Sequence, residues 1–541
     1  MTFRIDRRSL ILTGTLGLGA YAIPGFAAQG PNWIVDGFTH NVASGEPSAT
    51  SMLLWTRYVA KGDSAKLRVE VSASADFAKV VAGGEAITGP WRDWTSKITV
   101  TGLQPGTRYF YRFVAPDGTF SPVGRTKTLP AGNAARFGIA VFSCSNLPYG
   151  YFNAYGHAAA RDDIDLAVHL GDYIYEYQKG GYAPASGAVD GRWPLPDGEI
   201  IHLADYRLRY ASYRADPDLA ALHAAKPMIV QWDDHESTND SWEGGAQNHQ
   251  PNEGDWSIRK AAAFQAWREW MPVSDEPWKA YAIGSLATLF RTETRIIGRT
   301  KPREAAALIA APDSAAAIAA FRDGPWQDKA MTMMGWEQEA WLAAEMARSV
   351  KAGTRWQMVG FGTIMGKTVT PRQATEWISP DAPERAQRYV KAGVAMAAAG
   401  LPMNFDNWGG YPAARARFLS SAQAMDANLV VLAGDSHNAW AYDLAQDGKP
   451  AGVEFAGQSV SSPGYEGSIK VDPKMVARSL VETNAELKWC DTSNRGYMAV
   501  TVTPDSVRND WLFVDTVLKP SKTARIGHSA TVARGRNVQV A

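Results

Sequence analysis

Four short segments of this 541-residue chain carry residue types that bind cations, and each follows an apolar run. The run 137–142 leads into Ser143-Cys144-Ser145-Asn146, and 164–170 into Gly171-Asp172-Tyr173-Ile174-Tyr175-Glu176. The run 227–232 leads into Asp233-Asp234-His235-Glu236, with Asn239 just beyond, and 428–433 into Gly434-Asp435-Ser436-His437. Several carboxylates, imidazoles, a thiolate and a phenolate make a hard-to-borderline donor set for more than one cation. A shared carboxylate such as Asp172 would hold two ions about 3.5–4 Å apart, the spacing that clamps attacking and leaving oxygens in hydrolysis. Cys144 with Tyr175 favours a trivalent or borderline ion such as iron. An all-oxygen set of Asp172, Asp234, Asp435 and a side-chain amide suits calcium, magnesium or manganese instead.

The elements around these segments must bring them together. Open α/β sheets bind ligands outside the carboxyl ends of their strands, so loops that lie far apart in sequence can share one crevice. A fifth apolar run, 356–361, and helical patterns at 255–270, 334–350 and 383–398 alternate with the others. They predict an α/β layered domain over 135–515, with central β-sheets flanked by helices. The Ala-rich stretch 303–322 reads as a solvated insertion carrying an amphipathic helix pair. Two late strands are expected at 497–502 and 510–515, and 516–541 as a loose C-terminal tail. Ahead of this domain, 31–132 is all-β in character. Strand-like segments at 51–57, 66–71, 94–100 and 109–114, separated by turns such as Gln104-Pro-Gly-Thr107, suggest a seven-strand immunoglobulin- or fibronectin III-like sandwich. The cluster 206–214, rich in Arg and Tyr, reads as a helix surface or domain contact rather than a phosphate site.

Composition bounds the function. The chain holds 55 Lys and Arg against 55 Asp and Glu, so no basic field points to a nucleic-acid partner. Two cysteines, Cys144 and Cys490, exclude a disulfide scaffold and a Cys-only metal cage, and leave a single bridge between them open. Residues 1–28 read as a twin-arginine signal peptide. Arg7-Arg8 precedes a modest apolar stretch, and Pro24-Gly25-Phe26-Ala27-Ala28 suits cleavage. That stretch is shorter than the ~20 residues needed to span a bilayer. The expectation is a periplasmic or secreted protein, exported by the twin-arginine (Tat) machinery and without an integral membrane segment in its mature form. Neither a Gly-x-x-x-x-Gly-Lys-Ser/Thr loop nor a Gly-x-Ser-x-Gly elbow is found.

The motifs together resemble the alkaline phosphatase D (PhoD-like) family of calcineurin-like metallophosphoesterases. The resemblance is carried by Val42-Ala-Ser-Gly-Glu-Pro47, Leu54-Trp-Thr-Arg57, Ser143-Cys-Ser145, His169-Leu-Gly-Asp-Tyr-Ile-Tyr-Glu176, Trp232-Asp-Asp-His-Glu236 and Gly434-Asp-Ser-His437. It implies that Cys144 stands where the superfamily has its first Asp ligand, that Asp172 is the bridging ligand, and that Tyr175 is the phenolate on ferric iron. It further implies that Asp234 and Asp435 replace an Asn and a His of the superfamily's motifs, while His437 is retained as a ligand and His235 faces the phosphoryl or leaving-group oxygen. The implied cofactors are Fe3+ and Ca2+, with other divalent metals as substitutes. Asn146 and Asn239 are further candidate ligands. The superfamily's additional metal-binding histidine has no counterpart after residue 361.

These motifs predict an exported metal-dependent phosphoesterase of alkaline phosphatase or phosphodiesterase type. It would act on mono- and/or diesters in small molecules, polymers or lipids, by in-line attack of a metal-bound hydroxide. His235 would assist the leaving group. The competing expectations are a non-catalytic exported binding protein with a structural metal site, and a phospholipase D-like hydrolase within the same family.

Overall fold

Phe137–Phe142, Pro227–Val230, Trp356–Phe361 and Leu429–Ala433 are buried at every position, as strands covered on both faces must be. The computed structural model describes residues 36–534 apart from 310, 379–383 and 470. The targeting segment expected over 1–28 lies outside the described residues.

The apolar runs divide between two sheets. In a nine-stranded sheet, Phe137–Phe142, Leu166–His169 and Pro227–Val230 lie side by side and parallel. In a seven-stranded sheet, Ala287–Arg291, Trp356–Phe361 and Leu429–Ala433 do the same. Alternation along each strand decides what goes where. Val141, Val168 and Ile229 point inward and pack with Met358, Leu432 and Phe455 of the other sheet. Their neighbours Phe142, Ala167 and Val230 point outward, under the helices Leu203–Arg214 and Trp256–Trp270. Val359, Phe361 and Val431 likewise meet Trp336–Lys351 and Pro412–Ala424. The result is four layers, helices outside two stacked sheets.

The N-terminal region forms the seven expected strands, in two groups. Ala65–Ser72, Val80–Thr88, Arg108–Val114 and Gly124–Lys127 make a separate four-stranded sheet. The hydroxyl of Tyr109 accepts a bond from the Gln104 amide at 2.9 Å, the tie of a tyrosine corner. Gly37–Gly45, Ser51–Val59 and Thr95–Thr101 instead extend the nine-stranded sheet, through the parallel pairing of Ser44 and Gly45 with Pro227 and Met228. Arg214, fully buried, lies 4.1 Å from the centroid of the Trp55 ring and donates to the Trp270 carbonyl. That places the 206–214 cluster at a domain contact.

Two expectations need correction, and one open question is settled. The segment 516–541 is not a loose tail throughout, because Ala524–Ala533 pairs antiparallel with Ser506–Val514 as the edge of the nine-stranded sheet. Only Ala530 and Val532 of that strand are buried hydrophobics, so an edge strand with one covered face left no apolar run to read. The insertion is not wholly solvated either. It forms helices Ala306–Ile309 and Ser314–Asp323, and Ile318 and Phe321 are buried against Leu401. Finally, Cys144 and Cys490 are both buried free thiols, which closes the question of a bridge. Among the described residues no helix is long and apolar enough to cross a membrane.

Candidate metal centre

The carboxyl ends of the strands from both sheets meet at one place. Cys144, Asp172 and His437 bring ligand atoms within 4.8 Å of one another, as do Asp172, Asp234 and His235, and the set Asp172, Asp233, Asp234 and Asp435. Asp172 belongs to all three sets, as a bridging carboxylate would. The Tyr175 hydroxyl donates to Asp172 Oδ2 at 3.1 Å, lies 3.2 Å from His437 Nε2, and accepts from Ser462 at 2.9 Å. Two sheets can approach this closely because of two glycines. A Cβ on Gly434 would stand 2.7 Å from that of Ser143, and one on Gly362 would stand 2.1 Å from an Asp233 carboxylate oxygen.

Local backbone geometry aims the donors. Cys144, Asp172, Asp435 and His437 all have left-handed φ, between 55° and 64°. L-residues adopt that region at a cost of roughly 1–2 kcal/mol each, and such strain clusters where a site needs it. The turn follows directly on each strand and reverses the side chain toward the shared centre. Glu236 fastens two of these loops, accepting from the backbone amides of Asp172, Tyr173 and Asp233 at 3.1, 2.6 and 2.8 Å.

The electrostatics are those of a cage short of positive charge. Burial pushes the carboxyls of Asp172 and Asp435 well above the usual range, and neighbouring carboxylates add to it. Burial, then Asp172, does the same to the Cys144 thiol. Asp172 Oδ1 and Asp234 Oδ1 are buried without a hydrogen-bond donor, and such atoms are costly unless a ligand satisfies them. His437 is pulled down to about 3 by burial, which keeps its imidazole neutral and able to ligate. These observations fit the expected metals: a Cys, Tyr, His and Asp set for iron beside an oxygen-rich set for calcium, sharing Asp172.

His235 differs from its neighbours. Its Nδ1 lies 2.7 Å from Glu176 Oε2, and Glu176 also accepts from Thr238, the Asn239 amide and Asn248. Burial opposes charge on His235, but Asp234, Glu176 and Asp172 outweigh it and raise its pKa well above the ordinary value. Glu176 is held down to about 2, against its burial, chiefly by His235. The Glu176 bond orients the imidazole, and the Tyr175 ring lies across it at 4.3 Å, tilted by 32°.

Cys144, Asp172, Tyr175, Asp234, His235, Asp435 and His437 are thus brought together. Asn239 donates its side-chain amide to Gln247 at 3.0 Å. Asn146 is buried beside Tyr175, and its backbone carbonyl accepts from Ser461. Sequence reasoning missed Arg295. Fully buried, it donates to both oxygens of Asp233 at 2.6 and 2.7 Å and to Asp406 at 2.5 Å, and stands 3.8 Å from Asp234 and Asp435. Both oxygens of Asp233 are therefore committed to a guanidinium. The available signal was the strand-like run Ala287-Thr-Leu-Phe-Arg291 followed by charged residues, the same pattern that marked the other loops. Thr363 is a second such residue. It follows Trp356–Phe361, where the superfamily's histidine is lacking, and donates to Asp435 Oδ2 at 3.1 Å.

Comparisons with known proteins agree with this geometry. Residues 139–511 match the PhoD-like phosphatase family, and residues 26–130 match the N-terminal domain of PhoD-like phosphatases. Alkaline phosphatase D of Bacillus subtilis (strain 168) is 31% identical, over 96% of this chain and 84% of the relative. A solved structure of PhoD superposes with a TM-score of 0.75 at 28% identity, covering 93% of each chain. The chain is a phosphoric ester hydrolase by descent, and it belongs to the PhoD-like phosphatase family.

Proposed function

We propose that this protein is an exported, metal-dependent phosphoesterase that hydrolyses phosphate mono- and/or diesters at the Asp172 centre. The observation that supports it most is the pair of donor sets sharing Asp172, with two buried carboxylate oxygens lacking any donor. Cys144, Asp172, Tyr175 and His437 would hold ferric iron, and Asp172, Asp234 and Asp435 would hold calcium. When bound, such cations supply activation of water and neutralisation of phosphoryl charge.

The chain's own residues do the rest. Glu176 keeps the Nδ1 proton of His235 in place, so its Nε2 faces the cluster and can donate to a phosphoryl or leaving-group oxygen. Glu236 and Arg295 hold the Asp172 and Asp233 loops against movement. Thr363 fixes one oxygen of Asp435 and the Asp240 amide fixes one of Asp234, at 2.6 Å, leaving the other oxygen of each directed inward. The signal-like residues 1–28 support export to the periplasm or medium. The deciding experiment is elemental analysis of the mature protein together with assays on nitrophenyl phosphate and bis-nitrophenyl phosphate. Iron and calcium with turnover of either ester supports the proposal. Folded, metal-loaded protein that turns over neither ester would replace it with the binding-protein reading.

A further inference from the structure

The short run Ser459-Val-Ser-Ser-Pro463 bears none of the candidate ligands, yet it is laid across the metal centre. It follows the strand Lys449–Ala456 of the seven-stranded sheet and crosses to the nine-stranded one. Where it leaves, the Gly457 amide donates to the Ala433 carbonyl at 2.9 Å, and where it arrives, the Ser459 carbonyl accepts from the Gly496 amide at 2.9 Å. It then grips the Cys144 loop. The Val460 amide donates to the Ser143 carbonyl at 3.0 Å, and the Ser461 and Ser462 amides both reach the Cys144 carbonyl at 3.4 Å. The Ser461 hydroxyl adds a bond to the Asn146 carbonyl at 2.8 Å. Residues 459–462 are all buried.

Two groups of this strap meet candidate iron ligands by themselves. The Ser462 hydroxyl donates to the Tyr175 oxygen at 2.9 Å. The Pro463 carbonyl lies 3.0 Å from His437 Nδ1. A carbonyl only accepts, so Nδ1 carries the proton and Nε2 is left bare for a cation. With Cys144 held through its own carbonyl, five consecutive residues contact three of the four residues that would hold iron. Ser462 brings no charge to the cage. What it brings is a hydrogen bond to an oxygen that is anionic once it ligates, and such bonds are the strong ones. A bond of that kind both orients the ligand and draws electron density from it.

We propose that Ser462 is a positioning residue for the iron half of the centre: its hydroxyl restrains the Tyr175 phenolate and weakens it as an electron donor, which leaves a bound ferric ion the stronger Lewis acid. This rests on the reading of Cys144, Asp172, Tyr175 and His437 as the iron set. The same bond lowers the preference of the site for ferric over ferrous iron, because the ferric state gains most from a strong phenolate donor.

The test is spectroscopic and needs no turnover. Native protein, Ser462→Ala and Ser461→Ala are each loaded with ferric iron and calcium. Visible absorption, resonance Raman spectra and the iron reduction potential are then compared. The native protein should show a phenolate-to-iron charge-transfer band, with a phenolate C–O vibration that shifts in D2O. Ser462→Ala should lose the D2O shift and move the band to longer wavelength. Its preference for ferric over ferrous iron should rise about 10-fold, a fall of ~59 mV in potential. Ser461→Ala removes a bond of the same strap that does not reach Tyr175, so its band and potential should match the native ones. A band unmoved in Ser462→Ala, or moved equally in both variants, overturns the role of Ser462 while leaving the iron set standing. Iron bound to native protein without a charge-transfer band would overturn Tyr175 as a ligand, and this inference with it.

Discussion

Two buried carboxylate centres lie along the same nine-stranded sheet, and they are opposite in charge balance. Glu46, just beyond the strand Gly37–Gly45, accepts from Arg291 at 2.6 Å, Lys279 at 3.2 Å and the Ser274 amide at 3.0 Å. Burial alone would raise its pKa, yet Arg291 and Lys279 pull it down to about 2. Asp172 and Asp435, by contrast, are buried among other carboxylates, and their pKa values rise. One centre is closed and fastens the N-terminal region to the catalytic layers. The other is open, and its missing counter-charge marks where a ligand belongs. Acidic residues are not informative in themselves; what distinguishes the two centres is whether the protein supplies the cation.

The sharpest way to break this contrast is Asp172→Asn. It should lower kcat/KM by on the order of 10³-fold, a few kcal/mol of lost transition-state stabilisation. Bound metal by elemental analysis should fall with it, while the circular dichroism spectrum is retained. Undiminished turnover would show that the open centre is not the site.

His235→Asn separates chemistry from metal holding. About 10²-fold should be lost in kcat, more for esters with poor leaving groups, with iron and calcium content unchanged. A loss independent of the leaving group would reassign His235 to metal binding.

Glu46→Gln probes the closed centre. It leaves Arg291 buried without its anion, so stability measured by urea unfolding should drop by about 3 kcal/mol, while metal content at low temperature is preserved. The pH dependence has a definite sign. A carboxylate depressed from 4.5 to about 2 stabilises the fold above pH 4.5, and that contribution is lost as pH falls toward 2. Its size is about 3 kcal/mol, and it should be missing from the variant's acid-unfolding curve. The open centre runs the other way. With metal removed, carboxyls raised by burial destabilise the fold as pH increases, so the gap in Tm between loaded and stripped protein should widen from pH 5 to pH 8.

The smallest effect is expected from Thr363→Ala. Removing the bond that orients Asp435 should weaken calcium binding about 10-fold, seen by titration against a calcium chelator. No change would make the Thr363 bond incidental to the centre.

Much of this centre was legible before folding, for a physical reason. A strand buried on both faces must be a continuous apolar run, and ligands at its carboxyl end must follow immediately, so run and motif are adjacent in the chain. Cys144, Asp172, Tyr175, Asp234, His235, Asp435 and His437 all announce themselves in this way. Arg295 was less visible because an arginine is not a cation ligand and the carboxylates it pairs with, Asp233 and Asp406, lie in other loops. Asp406, which sits in an irregular segment between helices, has no local pattern at all.

The chain by itself determined the order of elements, the alternation that sorts side chains to either face, and the ligand-bearing loops, since each depends on residues close in sequence. Tertiary structure decided the rest. It placed the strands in two sheets rather than one, joined Gly37–Gly45 to Pro227–Val230 across the expected domain boundary, and recruited Ala524–Ala533 as an edge. It also decided which carboxylates meet a guanidinium and which face only one another. Pairing partners and charge balance are set by the approach of segments remote in sequence, and here that approach is set by how the two sheets pack and by the small residues, Gly362 and Gly434, that allow it.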